Sequence, residues 1–136
     1  MVIYYDEDHL WNRQETFLTN PAKEILYRGI YDFSYKYRSR VFDPQGRELG
    51  YVQLDITSFF PHVDLCDPEG NRIAFLEKNE GYLLEPDQLS VKKEGRSFRI
   101  EDVAEAENGK LNIRKEDPLK YVLLLFAMVE IERKKI

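Results

Sequence analysis

The side chains with the most chemical potential lie near the middle of the chain. His62, Asp64 and Cys66 alternate, and on an extended strand residues two apart point to one face. Imidazole, carboxylate and thiolate are all zinc ligands. This set lacks the fourth ligand and the wider loop spacing of a closed zinc site, so it reads as a mixed polar face with a small buried Cys66. Earlier in the chain, Asp6-Glu7-Asp8-His9 offers oxygens to a hard cation, but the glycine and downstream glutamate of a calcium loop are missing. A solvated segment is expected there. The expectation is no metal centre and no cofactor.

Catalytic groups are equally sparse. Nucleophilic catalysis needs Ser or Cys with a His and an orienting acid. Among two His and one Cys, His62 and Cys66 form the best pair. They sit four residues apart on one strand, about 13 Å along an extended chain, and cannot touch there. No Gly-rich phosphate loop, dinucleotide fingerprint or H-E-x-x-H occurs. Glu101, Asp102, Glu105 and Glu107 fall near a turn and read as solubilising charge, although a carboxylate dyad leaves no sequence mark. No catalytic residue is assigned, and a non-enzymatic role is expected.

The elements that hold these residues follow from composition and pattern. The 136 residues suit one domain, 43% are hydrophobic, and nine Tyr and eight Phe lean the chain toward strands. A net charge of −5 repels nucleic acid and keeps the protein in solution. A lone Cys66 cannot form an internal disulfide, and the first residues lack the basic start and apolar stretch of a signal peptide. The longest apolar run, residues 121–129, falls well short of the roughly twenty residues of a membrane span. A cytoplasmic location without a transmembrane segment is expected.

Turn chemistry then marks hairpins. Asp43-Pro44-Gln45-Gly46 lies between residues 35–42 and 47–55, and Asp67-Pro68-Glu69-Gly70 between residues 59–66 and 71–77. In each, Asp accepts local amide bonds, Pro fixes φ and Gly takes positive φ, while both flanks alternate polar and apolar residues. Lys93-Glu94-Gly95-Arg96 and Glu107-Asn108-Gly109 mark two further turns, so the middle of the chain reads as an antiparallel meander. Near the end, Asp117 and Pro118 start a helix over residues 117–133, with Arg133, Lys134 and Lys135 at the end that favours cations. No polar stripe interrupts residues 121–129, and a helix apolar on every face must be surrounded, here by a sheet curled into a barrel or half-barrel. Residues 1–30 stay open. Leu10, Trp11, Phe17 and Leu18 suit one side of a helix, and Asn20-Pro21-Ala22-Lys23-Glu24 a helix start ended by Gly29. The same residues also suit strands.

Hairpins with a D-x-x-G turn followed by an all-apolar C-terminal helix resemble the tubby C-terminal-like superfamily, which includes LURP-one-related proteins and phospholipid scramblases. Residues 37–52, with Val41-Phe42-Asp43-Pro44-Gln45-Gly46-Arg47-Glu48-Leu49-Gly50, the second copy at Asp67 to Gly70, and residues 119–131 carry the resemblance. It implies a closed antiparallel barrel of twelve strands around a central helix. The pattern here yields about eight or nine strands. The barrel is therefore expected to be smaller, open, or completed by residues 1–30.

The resemblance also implies lipid-linked roles, notably phosphoinositide binding through a K-x-R pair on a strand. Lys36-Tyr37-Arg38 matches that pair in form, and Arg40 continues it on the same face. Such a ladder suits a phosphorylated headgroup held by charge-assisted hydrogen bonds. The alternative is an ordinary exposed strand face, with Tyr35, Tyr37 and Val41 turned inward and the cations discouraging edge pairing. No site residues for scrambling are found. Two readings stand: a binding domain for an anionic lipid headgroup or other ligand at Lys36, Arg38 and Arg40, and a protein-interaction or structural module, homo-oligomeric in one form, with an exposed aromatic patch. Of the candidate anchors Tyr27, Tyr31, Tyr35 and Tyr37, most are expected to pack in the core or at edges.

Overall fold

In the computed structural model, which describes residues 1–32, 38–55 and 62–134, the alternating segments become strands of one continuous sheet. In chain order these are β1 (Val2–Tyr5), a short helix α1 (Glu7–Asn12), β2 (Glu15–Thr19), β3 (Ile25–Asp32), β4 (Arg38–Phe42), β5 (Glu48–Asp55) and β6 (His62–Cys66). There follow β7 (Arg72–Asn79), β8 (Gly81–Glu85), β9 (Leu89–Glu94), β10 (Ser97–Ile100), β11 (Ala104–Glu107), β12 (Lys110–Ile113) and the helix α2 (Pro118–Lys134). Each strand pairs antiparallel with its sequence neighbours. β1 also pairs with β12 through Val2↔Asn112, Ile3↔Leu111 and Tyr4↔Lys110. The twelve strands of the described residues thus form a closed up-and-down barrel, which leaves no free edge.

The barrel encloses α2. Every residue from 121 to 131 is buried, and the wall meets them with inward side chains such as Ile3, Leu18, Val41, Val52, Val63, Leu65, Leu76, Leu84 and Leu111. Small residues line the closest approaches. A Cβ added at Gly29 would lie 2.2 Å from Phe126 Cζ, and one at Gly50 would lie 2.6 Å from the Cys66 carbonyl oxygen and 3.3 Å from Leu123 Cδ1. A polar link crosses the interior: Ser39 Oγ on the inner face of β4 donates to Glu130 Oε1 at 2.9 Å.

The two Asp-Pro turns form as their residues dictate. Gly46 and Gly70 take φ of 86° and 91°. Asp43 Oδ1 accepts from the amides of Gln45 and Arg47, each at 2.9 Å, and Asp67 Oδ1 from those of Glu69 and Asn71, at 3.0 and 2.8 Å. Asn108 and Gly109 both adopt positive φ, as a type I′ hairpin requires.

Residues 1–30 supply what the pattern missed. The helix start at Asn20 is corrected: Asn20 to Glu24 is a turn, closed by Asn20 N–H to the Glu24 carbonyl at 3.0 Å and by the Glu24 amide to Asn20 Oδ1 at 2.9 Å. Gly29 ends no helix; it lies within β3, where Phe126 fills the space of a side chain. Leu10 and Trp11 are buried on α1, whereas Leu18 points inward from β2 and Phe17 outward.

Leu124 is fully buried at the middle of α2. Leu124→Asp places a carboxylate in an apolar interior, where an unpaired charge costs at least several kcal/mol against a total stability of about 5–15 kcal/mol. Circular dichroism should show an unfolded or molten chain; a folded, soluble variant would contradict the central-helix architecture.

A second prediction concerns pH. The Arg47 amide, followed by the Arg47 guanidinium, holds the Asp43 carboxyl below the usual carboxylate range, and the Asn71 side chain and nearby amides do the same for Asp67. The stability from a depressed carboxyl is fully present above its unfolded pKa of about 3.9 and is lost as pH falls through the folded value. In urea unfolding, the deficit of an Asp43→Asn/Asp67→Asn variant should be complete at neutral pH and shrink below about pH 4. A deficit independent of pH would show that charge plays no part in these turns.

Candidate functional site

Strand alternation gives the wall two faces. On β4, Ser39 and Val41 point to the core, so Arg38 and Arg40 share the outer face. The register then sets their neighbours. Arg38 lies opposite Gln53, Arg40 opposite Tyr51, Tyr51 opposite Cys66, Gln53 opposite Asp64, and Asp55 opposite His62. On the next strand, Glu77 lies opposite His62 and Phe75 opposite Asp64. A continuous polar belt therefore crosses the outside of β4 to β7.

Within the belt, the basic end is only half exposed. Arg38 Nε donates to Gln53 Oε1 at 3.1 Å, and its guanidinium lies 4.2 Å from the centre of the Tyr51 ring. These two contacts, with a side-chain amide and an aromatic ring, orient the guanidinium. Arg40 Nη1 instead meets Glu48 Oε1 at 3.3 Å, which offsets part of the ladder's charge. Lys36, the third member expected from the sequence, lies outside the described residues, as do Tyr35 and Tyr37.

The acidic end holds an imidazole between carboxylates. His62 Nε2 is 3.3 Å from Asp64 Oδ1 and 3.7 Å from Asp55 Oδ2. Arg72 Nη1 approaches Asp64 Oδ1 at 3.4 Å while its guanidinium stacks over Phe75, whose ring also meets His62 edge-on at 5.9 Å. Of the alternating set expected from the sequence, His62 and Asp64 do converge. Cys66 lies further along β6, opposite Tyr51, and Asp55 joins His62 and Asp64 instead. Sequence reading along one strand could not find Asp55, because the partner arrives across the β5–β6 register.

The other polar clusters are simpler. Asp6 caps α1 by accepting the His9 amide at 3.0 Å, while Asp8 accepts from Asn12 Nδ2 at 2.9 Å and pairs with Arg13 at 3.2 Å. These side chains are exposed, in keeping with the solvated segment expected there. An open groove of about 470 Å³ lies over β9 to β11, where Lys92 and Arg99 face Glu94, Glu105 and Glu107. Lys93, on the same groove, pairs with Glu132 of α2. Where α2 meets the wall near Thr16, Gly29, Ser39 and Phe126, a gap of about 10 Å³ remains, room for about one water. Among the described residues, no helix is long and apolar enough to cross a membrane.

Neither protein-family models, nor curated proteins, nor solved structures yield a match to this chain.

Cys66 is 6% exposed, and burial pushes its thiol above the ordinary value, with the Tyr51 side chain acting the other way. Because the thiolate is the reactive form, Cys66 should react with a disulfide reagent at least about tenfold more slowly in the native protein than in urea. Equal rates would mean that the β5–β6 face opens readily.

Proposed function

We propose that this chain is a non-enzymatic binding domain of the tubby-like type, and that the outer face of β4 takes the phosphate of an anionic lipid headgroup. The observation that carries this reading is Arg38: its Nε–H donates to Gln53 Oε1 and its guanidinium stacks on the Tyr51 ring, and these contacts fix the plane of the group. A pre-oriented fork suits the oxygens of a phosphate, and less side-chain entropy is lost when it engages. Arg40 lies on the same face of β4. The closed barrel of twelve strands around an apolar helix supports the tubby-like resemblance. Since the whole chain carries −5, attraction must come from this local patch and weaken with salt.

Co-sedimentation with liposomes tests the reading. Phosphatidylcholine vesicles with and without phosphoinositides are compared at low and physiological salt, alongside the Lys36/Arg38/Arg40→Glu triple variant. Headgroup-dependent binding is expected, lost in the triple variant. Competition by soluble inositol phosphates would place recognition in the phosphate itself rather than in the bilayer. Absence of binding at low salt would retire the proposal.

A second reading, a homo-oligomeric interaction module, is favoured by a different observation. Tyr4, Phe17 and Ile25 are exposed on β1, β2 and β3, and Tyr4 and Ile25 both lie opposite Thr19. Neighbouring exposed apolar side chains on a closed barrel suit contact with a second copy. A mass that rises with concentration in sedimentation, together with no lipid binding, would put this reading first.

A further inference from the structure

We propose that Asp55, His62 and Asp64 form a binding site for a first-row divalent transition-metal ion of the zinc class. The donor atoms already have the spacing such an ion imposes. With metal–ligand distances of about 2.0–2.2 Å, two donors of a tetrahedral site stand about 3.4 Å apart. His62 Nε2 lies 3.3 and 3.7 Å from the two carboxylates, and all three donor atoms fall within 4.8 Å of one another.

The chemistry of the set is selective. An imidazole nitrogen among carboxylate oxygens suits zinc and its neighbours better than magnesium or calcium, which favour oxygen alone. The three side chains stand on two paired strands rather than on a loop, so they come pre-positioned. They are 17–34% exposed, which lets an ion enter from solvent yet leaves the donors less hydrated than free side chains. Glu77, directly across from His62 on β7, stands at the register position of a fourth ligand, which water could also supply. Arg72 competes for Asp64, which it touches at 3.4 Å. Its side chain is half exposed and rests on Phe75, so it can leave the carboxylate and keep its ring contact. This site is separate from the proposed headgroup face, and its test uses no lipid.

The full-length chain is titrated calorimetrically with zinc chloride in a non-chelating buffer, with magnesium and calcium as controls. Asp6, Asp8 and His9 form the rival cluster, and the chain has only two His, so two variants separate the sites. One zinc per chain is expected, bound at least about tenfold more weakly by His62→Gln and by Asp55→Asn, and unchanged in His9→Gln. Zinc should also raise the thermal midpoint of the wild type and not that of His62→Gln. If His62→Gln does not fold, the imidazole NMR signals of the wild type decide, with the His62 ring expected to shift and the His9 ring to stay. No stoichiometric binding, equal binding of magnesium, or binding that follows His9 would each overturn the proposal.

Discussion

The burial of α2 governs the rest of the molecule. Residues 121–131 present apolar surface in every direction, and each large aliphatic side chain taken from water contributes about 1.5–3 kcal/mol. Such a helix cannot rest on a flat sheet, because half its surface would stay wet. Closure by β1 against β12 removes that exposure and the sheet edges together. The inward residues of the wall then have to fit a fixed cylinder. Glycine accordingly stands at position 29, where Phe126 fills the space of a side chain, and at position 50, where a Cβ would strike the Cys66 carbonyl oxygen and crowd Leu123. Glu130 brings a carboxyl group into this interior, and its bond to buried Ser39 ties the far end of the helix to β4.

That division of labour leaves the outside of the wall for recognition. With the inner positions committed to packing, every other residue of each strand faces out, and the register decides which of them meet. The belt across β4 to β7 runs from an oriented arginine to an imidazole among carboxylates, and strand pairing creates both ends. β4 carries both roles at once: Ser39 and Val41 hold the helix, while Arg38 and Arg40 face solvent.

Much of this architecture can be read from the residues. The Asp-Pro-x-Gly turns are local, and each sets its own hydrogen bonds, so their hairpins follow from sequence. The all-apolar run of α2 announces an enclosing sheet. Residues 1–30 resist such reading, because Leu10 and Trp11 follow helical spacing for one short helix while Phe17 and Leu18 alternate on a strand only a few residues later. β8 is reached through Glu80 at φ 53°, a turn with no proline to mark it. The cluster at His62 was half legible: alternation places Asp64 beside it, but Asp55 joins only through the register of β5 on β6. Glu130 gives no warning, since a glutamate near a helix end ordinarily reads as exposed.

Whether the barrel can hold together without α2 is decided by native-state amide hydrogen exchange. Amides of residues 121–131 are expected to exchange only through global unfolding, with the same free energy as the most protected strands of the barrel. Exchange of those amides through a smaller opening while β4 to β7 stay protected would instead make the helix an accessory to a self-sufficient barrel.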